Sequence, residues 1–321
     1  MEADEETMDV LVNLTVSAFV TSGLPITFTT RGYNGRFGGP TIRVRQGGRL
    51  RIALTNDLGD DIDGPVNWFR RPNSTNLHLH GLHISPSGAS DDVFRSVGPS
   101  TTAHYDYAIP ADHPAGLFWY HPHVHGSSSL QQGGGMAGAL IIEPEKELPS
   151  ALAAMDEDVL LLQHLCFYND GRYATSSPYV NHLNVIKYSL DNMLPEPVYS
   201  NRSEVPDYIL VNGEYEPTLS LRPGEFRRLR IVGAGTSAFL ELHLVAAAGA
   251  ATAAPPCELL VLAKDGIWVD APYAVDAALL VPGGRLELAA TSRVLASRMY
   301  LLAGRLKSAR RELDMCIDES R

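Results

Sequence analysis

The chain has 321 residues, 45% of them apolar and 20% charged, with 28 glycines and 21 prolines. That length suits two domains of about 100 to 200 residues, each able to bury a core, and the Gly and Pro counts suit many short strands joined by turns. The formal charge of −11, from 26 basic and 37 acidic residues with no continuous Lys/Arg block, argues against a nucleic-acid partner, and no apolar run is long enough to span a membrane.

In chain order, the first feature is an acidic end (Glu2, Asp4, Glu5, Glu6, Asp9), read as a solvated terminus without the charged-then-apolar order of a signal peptide. N-x-S/T triplets at Asn13, Asn73 and Asn201 would accept glycans only in a secretory compartment. From Pro40 the sequence P-T-I-R-V-R-Q-G-G-R-L-R-I alternates apolar and polar positions. Ile42 and Val44 precede a Gln46-Gly47-Gly48 turn, and Leu50, Ile52 and Leu54 follow it. Alternation of period two on both sides of a glycine turn predicts a β-hairpin.

Eight of the eleven histidines then fall between His78 and His125. One group reads N-L-H-L-H-G-L-H (76 to 83) and the other W-Y-H-P-H-V-H-G (119 to 126). In a strand, residues i and i+2 project from one face roughly 6.6 Å apart, so two H-x-H pairs on adjacent strands present four imidazoles to one spot. His78, His80, His121 and His123 are therefore candidate metal ligands. Leu79 and Pro122 should point the opposite way. His83 follows Gly81 at an odd offset and His125 ends its run, so both are read as structural or hydrogen-bonding residues. His104, His113, His164, His182 and His243 are isolated and read as ordinary core or surface positions. Imidazole suits several metals, but neither group contains the carboxylate of a zinc hydrolase motif, which favours copper. Asp91 and Asp92, about ten residues downstream, read as turn residues close enough to serve such a site as proton donors.

Gly138 to Ile142 is a strand-like run, and residues 143 to 158 (EPEKELPSALAAMDED) break the alternation as a surface linker would. A second copy of the earlier pattern starts at Pro217 (P-T-L-S-L-R-P-G-E-F-R-R-L-R-I), with Leu219 and Leu221 before its turn and Leu229 and Ile231 after it. One β-domain thus occurs twice: residues 1–145, a linker at 146–157, and residues 158–304. The tail at 305–321 differs, carrying helix formers from Leu306 to Ile317. Cys166, Cys257 and Cys316 form no C-x-x-C pair and read as small buried apolar residues.

The strings at 76–94, 116–126 and 134–142 resemble the first cupredoxin (plastocyanin-like) domain of the multicopper oxidases, the laccase-like group. Val211-Asn212-Gly213, Asp265-Gly266 and Val281-Pro282-Gly283-Gly284-Arg285 resemble that family's second domain. The resemblance implies an all-β chain of two tandem Greek-key cupredoxin-like barrels, the second expected to be copper-free. It also implies a copper cofactor and an oxidoreductase that passes electrons from a phenolic or metal-ion donor to O₂. By motif position His78 would bind a type 2 copper, while His80, His121 and His123 would bind a type 3 pair, with Asp91 near the cluster for proton delivery. No H-x-x-H-x-H or H-C-H string is present, so this set is half of a trinuclear site without its type 1 centre. The expectation is a truncated chain, incomplete as an oxidase on its own, whose missing ligands come from a third domain or an oligomeric partner. The alternative is a non-catalytic copper-binding or scaffold protein. Such relatives are often secreted or periplasmic, and the sequence leaves the compartment open.

Overall fold

The computed structural model describes residues 9–24, 29–61, 71–146, 148–166, 207–217, 219, 224–236, 239–246, 257–292 and 299–305. Its first part comprises β1 (Asp9–Val20), β2 (Thr29–Tyr33), β3 (Ile42–Arg45), β4 (Arg49–Asp57), β5 (His78–His80), β6 (Thr101–Ala108), β7 (Gly116–His121), the short helix α1 (Ser128–Gly133) and β8 (Gly138–Glu143). These strands form two four-stranded sheets, in the orders β2-β1-β4-β6 and β3-β8-β7-β5. Leu50, Ile52 and Leu54 of β4 face Ile42 and Val44 of β3, Tyr105 and Tyr107 of β6 and Leu140 and Ile142 of β8 in one buried core. Each of these aliphatic side chains contributes about 1.5–3 kcal/mol by leaving water.

The predicted hairpin at 42–54 is not one. Strand β3 pairs in parallel with β8, whereas β4 pairs with β1 and β6 in the opposite sheet. Gln46 and Gly47 donate their backbone N–H groups to Glu143 and Pro110, not across a two-stranded ladder. The segment is an arch between facing sheets. Alternation reports only which side of a strand meets the core, and strands that face one core from opposite sheets alternate just as a hairpin does.

A second set of strands follows the short helix α2 (Ser150–Ala153): β9 (Asp156–Cys166), β10 (Asp207–Val211), β11 (Glu214–Tyr215), β12 (Phe226–Gly233), β13 (Leu240–Ala246), β14 (Cys257–Lys264), β15 (Ile267–Val275), β16 (Ala277–Leu280), β17 (Arg285–Ser292) and β18 (Met299–Arg305). They form a seven-stranded sheet, β11-β10-β9-β12-β17-β14-β15, over a three-stranded one, β16-β13-β18. Their own core contains Leu162, Leu229, Ile231, Leu242, Val261 and Leu288. The helix-forming tail after Arg305, His182, Asn201, Cys316 and Leu221 lie outside the described residues. Leu219 belongs to no strand. Among the described residues no helix is long and apolar enough to cross a membrane.

Strand β7 is buried along its whole length and β8 along nearly all of it. Both faces are covered, which is why G-L-F-W-Y-H and G-A-L-I-I show no alternation. One face enters the first core. The other, with Leu117, Trp119, Ala139 and Ile141, packs on Leu161, Val232 and Ala234 of the second set. Three turns of that second set also press on the first. Asn212-Gly213 (φ 54° and 83°) and Asp265-Gly266 (φ 51° and 81°) are two-residue hairpin loops, the conformation that Asn-Gly and Asp-Gly favour. A Cβ on Gly213 would meet Phe37 at 2.7 Å and one on Gly266 would meet Phe118 at 2.9 Å. The third turn carries Gly283, where a Cβ would come within 3.2 Å of His80.

Candidate metal centre

Register decides which side chains meet. Edge strand β5 pairs antiparallel with β7, so that His78 lies opposite His121, Leu79 opposite Tyr120 and His80 opposite Trp119. Leu79 is fully buried in the first core, as the i, i+2 argument requires, and the two histidines share the other face with Trp119 and His121. Strand β5 stops after three residues because Gly81 adopts φ +93°, a left-handed value that turns the chain away.

His78, His80 and His121 each offer a ring nitrogen within 4.8 Å of the others. Nδ1 of His80 lies 3.3 Å from Nε2 of His121. Two residues past β7, the His123 ring stands 5.2 Å from that of His78 and 5.9 Å from that of His121, on the exposed side of the group. The backbone N–H of His123 donates to Oδ1 of Asn76 at 2.6 Å.

Outer contacts set which nitrogen each ring presents. Nδ1 of His78 is 2.9 Å from the Asp91 carboxylate and Nδ1 of His121 is 2.9 Å from the Pro122 carbonyl. Both acceptors fix the proton on Nδ1 and leave Nε2 as the acceptor nitrogen, which in His121 faces Nδ1 of His80. Asp91 also accepts the Leu79 N–H at 2.9 Å, so one carboxylate holds both the ring and the backbone of β5. Trp119 forms a floor, stacked on His121 at 4.2 Å and inclined to His80 at 5.0 Å.

Burial, then the Arg285 cation, pull the His80 imidazole down to about 4, and burial with neighbouring His78 holds His121 well below its ordinary value. Both rings are therefore neutral at physiological pH, which a metal ligand requires. The donor set is three clustered imidazoles with a fourth beside them and a carboxylate behind, and it fits a borderline ion such as copper.

The remaining histidines lie elsewhere. The His83 N–H donates to Nε2 of His113 at 3.0 Å, and Nδ1 of His113 donates to Pro114 O at 2.8 Å, so His113 is a structural brace with both nitrogens engaged. His125 is exposed, and so is His104 on β6. His164 is buried in β9, and His243 sits 3.4 Å from Glu241 at the surface. Three contributors escaped the sequence reading. Asn76, fully buried, accepts from His123 and donates to Val93 and Arg95, tying the loop of Asp91 to both histidine segments. Its place directly before L-H-L-H was the available signal. Trp119 was visible only through the β5–β7 register. Arg285, in the Val281-to-Arg285 string, lies far away in sequence and carried no local signal of a role at this cluster.

Fold and site together define a tandem cupredoxin-like β protein with an all-imidazole centre on its first sandwich. Residues 23–147, within the first sandwich, match the family model described as multicopper oxidase. An iron transport multicopper oxidase of Kluyveromyces lactis is 27% identical over 206 residues, covering 63% of this chain and 27% of that protein. A cell division protein, FtsP, of Haemophilus influenzae is 26% identical over 265 residues, covering 81% of this chain and 46% of that protein. The crystal structure of a multi-copper oxidase from Pseudomonas thermotolerans superposes with a TM-score of 0.65 at 24% identity, covering 91% of this chain and 61% of that one, which speaks for the fold. The chain spans less than half the length of these two curated relatives.

Proposed function

We propose that this chain binds copper through His78, His80, His121 and His123, as half of a trinuclear type 2/type 3 site that reduces O₂ while a phenolic or metal-ion donor is oxidised. The observation that carries the reading is the convergence of three imidazole nitrogens within 4.8 Å, on a face where His123 is the next ring. Copper held there would supply the electron transfer to O₂. The chain's own residues prepare the place. Asp91 and the Pro122 carbonyl aim Nε2 of His78 and His121, and Trp119 closes the floor to water. Asp91, whose side chain is 11% exposed, is placed to hold or pass a proton at its carboxylate beside His78. In this reading His78 serves the type 2 copper and the other three histidines the type 3 pair, with further ligands and the donor-oxidising centre supplied by another domain or chain.

A second reading, a non-catalytic copper-binding or scaffold role, draws on the similarity to a protein named for cell division. Elemental analysis, electron paramagnetic resonance and O₂ uptake with a phenolic and a ferrous donor separate the two. Bound copper without the intense blue band of a thiolate-ligated centre is expected of this chain alone, and O₂ uptake should appear only once the missing ligands are supplied. Copper without uptake under that complementation would favour the scaffold. Absence of copper would overturn both.

A further inference from the structure

Among the described residues, Arg285 and the Gly283 turn bring the second sandwich up to the histidine cluster. Arg285 opens β17, yet its side chain is only 8% exposed and its guanidinium crosses the seam to the first sandwich. Nε donates to the Leu117 carbonyl of β7 at 3.4 Å, Nη1 to Gly283 at 3.0 Å and Nη2 to Asp265 at 2.9 Å. Nη1 also pairs with the Asp265 carboxylate at 3.3 Å.

At the other end of these contacts is His80. Gly81, the residue after it, lies so close under the guanidinium that a Cβ there would stand 2.6 Å from Nη2 of Arg285. A Cβ on Gly283 would stand 3.2 Å from Cε1 of the His80 ring and 3.7 Å from Trp119. The backbone leaving His80 and the edge of its imidazole are thus both bounded by Arg285 and by the turn it holds.

The Asp265-Gly266 and Gly283 turns belong to different loops, and the planar guanidinium joins them to each other and to β7. Lysine, a point charge without the fixed fork, cannot serve three carbonyls in one plane. We propose that Arg285 is a positioning residue for the histidine cluster: it clamps two turns of the second sandwich onto β7 and so fixes the His80 ring for metal binding, an inference that rests on the copper reading above.

The test uses the full chain, first metal-free and then titrated with Cu(II) against a competing chelator, as wild type, Arg285→Met and Arg285→Lys. Long-range nitrogen–proton NMR of the imidazoles reads ring placement without metal. Both variants should move or broaden the His80 ring signals, and Cu(II) affinity should fall about 10- to 100-fold, the loss usual when a group that orients a ligand is removed. A purely structural arginine would lower the denaturation midpoint while leaving the His80 signals unchanged and Cu(II) affinity within about twofold of wild type, and that result overturns the proposal. If Arg285→Met does not fold, Arg285→Lys decides by the same two readouts. A wild type that takes up no copper sinks the copper reading, and the metal-free His80 signals then decide Arg285 alone, changed for it and unchanged against it.

Discussion

Replacing Asp91 by asparagine should weaken copper binding about 10- to 100-fold, or roughly 1.4–2.7 kcal/mol. The magnitude follows from two contacts that the carboxylate serves without placing a donor against either N–H. Asp91 accepts from Nδ1 of His78 at 2.9 Å and from the Leu79 N–H at 2.9 Å. An asparagine oxygen at the Oδ1 position still reaches the Leu79 N–H and lies 3.1 Å from Nδ1 of His78, but its NH2 then takes the Oδ2 position 2.9 Å from that nitrogen, donor against donor, and turned the other way the NH2 opposes the Leu79 N–H. If the amide faces His78, the imidazole moves its proton to Nε2, the nitrogen aimed at the cluster. If it faces Leu79, the short strand β5 loses a charge-assisted anchor worth about 1.5–3 kcal/mol. Competition with a Cu(II) chelator, with a urea melt of the metal-free protein alongside, measures both arms. Equal affinity and equal stability in D91N and wild type would refute the orienting role.

Other consequences follow from burial and charge. In the metal-free chain, His80 titrates at about 4 in the fold against 6.5 in the unfolded state. The unfolded state therefore binds more protons in that window, and the His80 contribution to stability should drop as pH falls from about 7 to 4 and level off below. The loss is bounded at roughly 3 kcal/mol and reduced by solvent screening. A stability profile flat over that range in wild type, or unchanged by His80→Gln, would contradict the burial-driven shift. Glu287, 1% exposed, pairs with Arg228 and Arg230, each 3% exposed, so Glu287→Gln should cost about 3 kcal/mol by leaving these buried cations only Glu157, 3.8 and 3.2 Å away. Chemical denaturation checks that value, and a cost under about 1 kcal/mol would mean the pair is hydrated. Leu79→Ala should cost about 2–5 kcal/mol, whereas Ile267→Ala, at the 68% exposed first position of β15, should stay within about 0.5 kcal/mol.

Much of this protein is legible in one dimension because its signals are local. The H-x-H pairs placed four rings near one spot, and period two put Leu79 in the core and the histidines on the other face. The Asn212-Gly213 and Asp265-Gly266 pairs mark tight hairpins for a backbone reason that needs no tertiary context. What failed was sheet membership. The alternation of Ile42 to Leu54 holds equally for a hairpin and for an arch, and only pairing with β8, a hundred residues away, separates them. The roles of Asn76, Trp119 and Arg285 were harder to read for a related reason. Each acts across register or across the seam, where the information lies in partners distant in sequence.

The central claim is that four imidazoles on one face of the first sandwich hold copper. Its most direct test is a copper titration of the full chain as wild type and as the fourfold variant His78→Ala, His80→Ala, His121→Ala and His123→Ala, followed by electron paramagnetic resonance. The account predicts bound Cu(II) in the wild type with splitting from imidazole nitrogens, and loss of that signal and stoichiometry in a variant that still folds. Wild type without copper, or a folded variant that keeps the same nitrogen-coordinated signal, would contradict it.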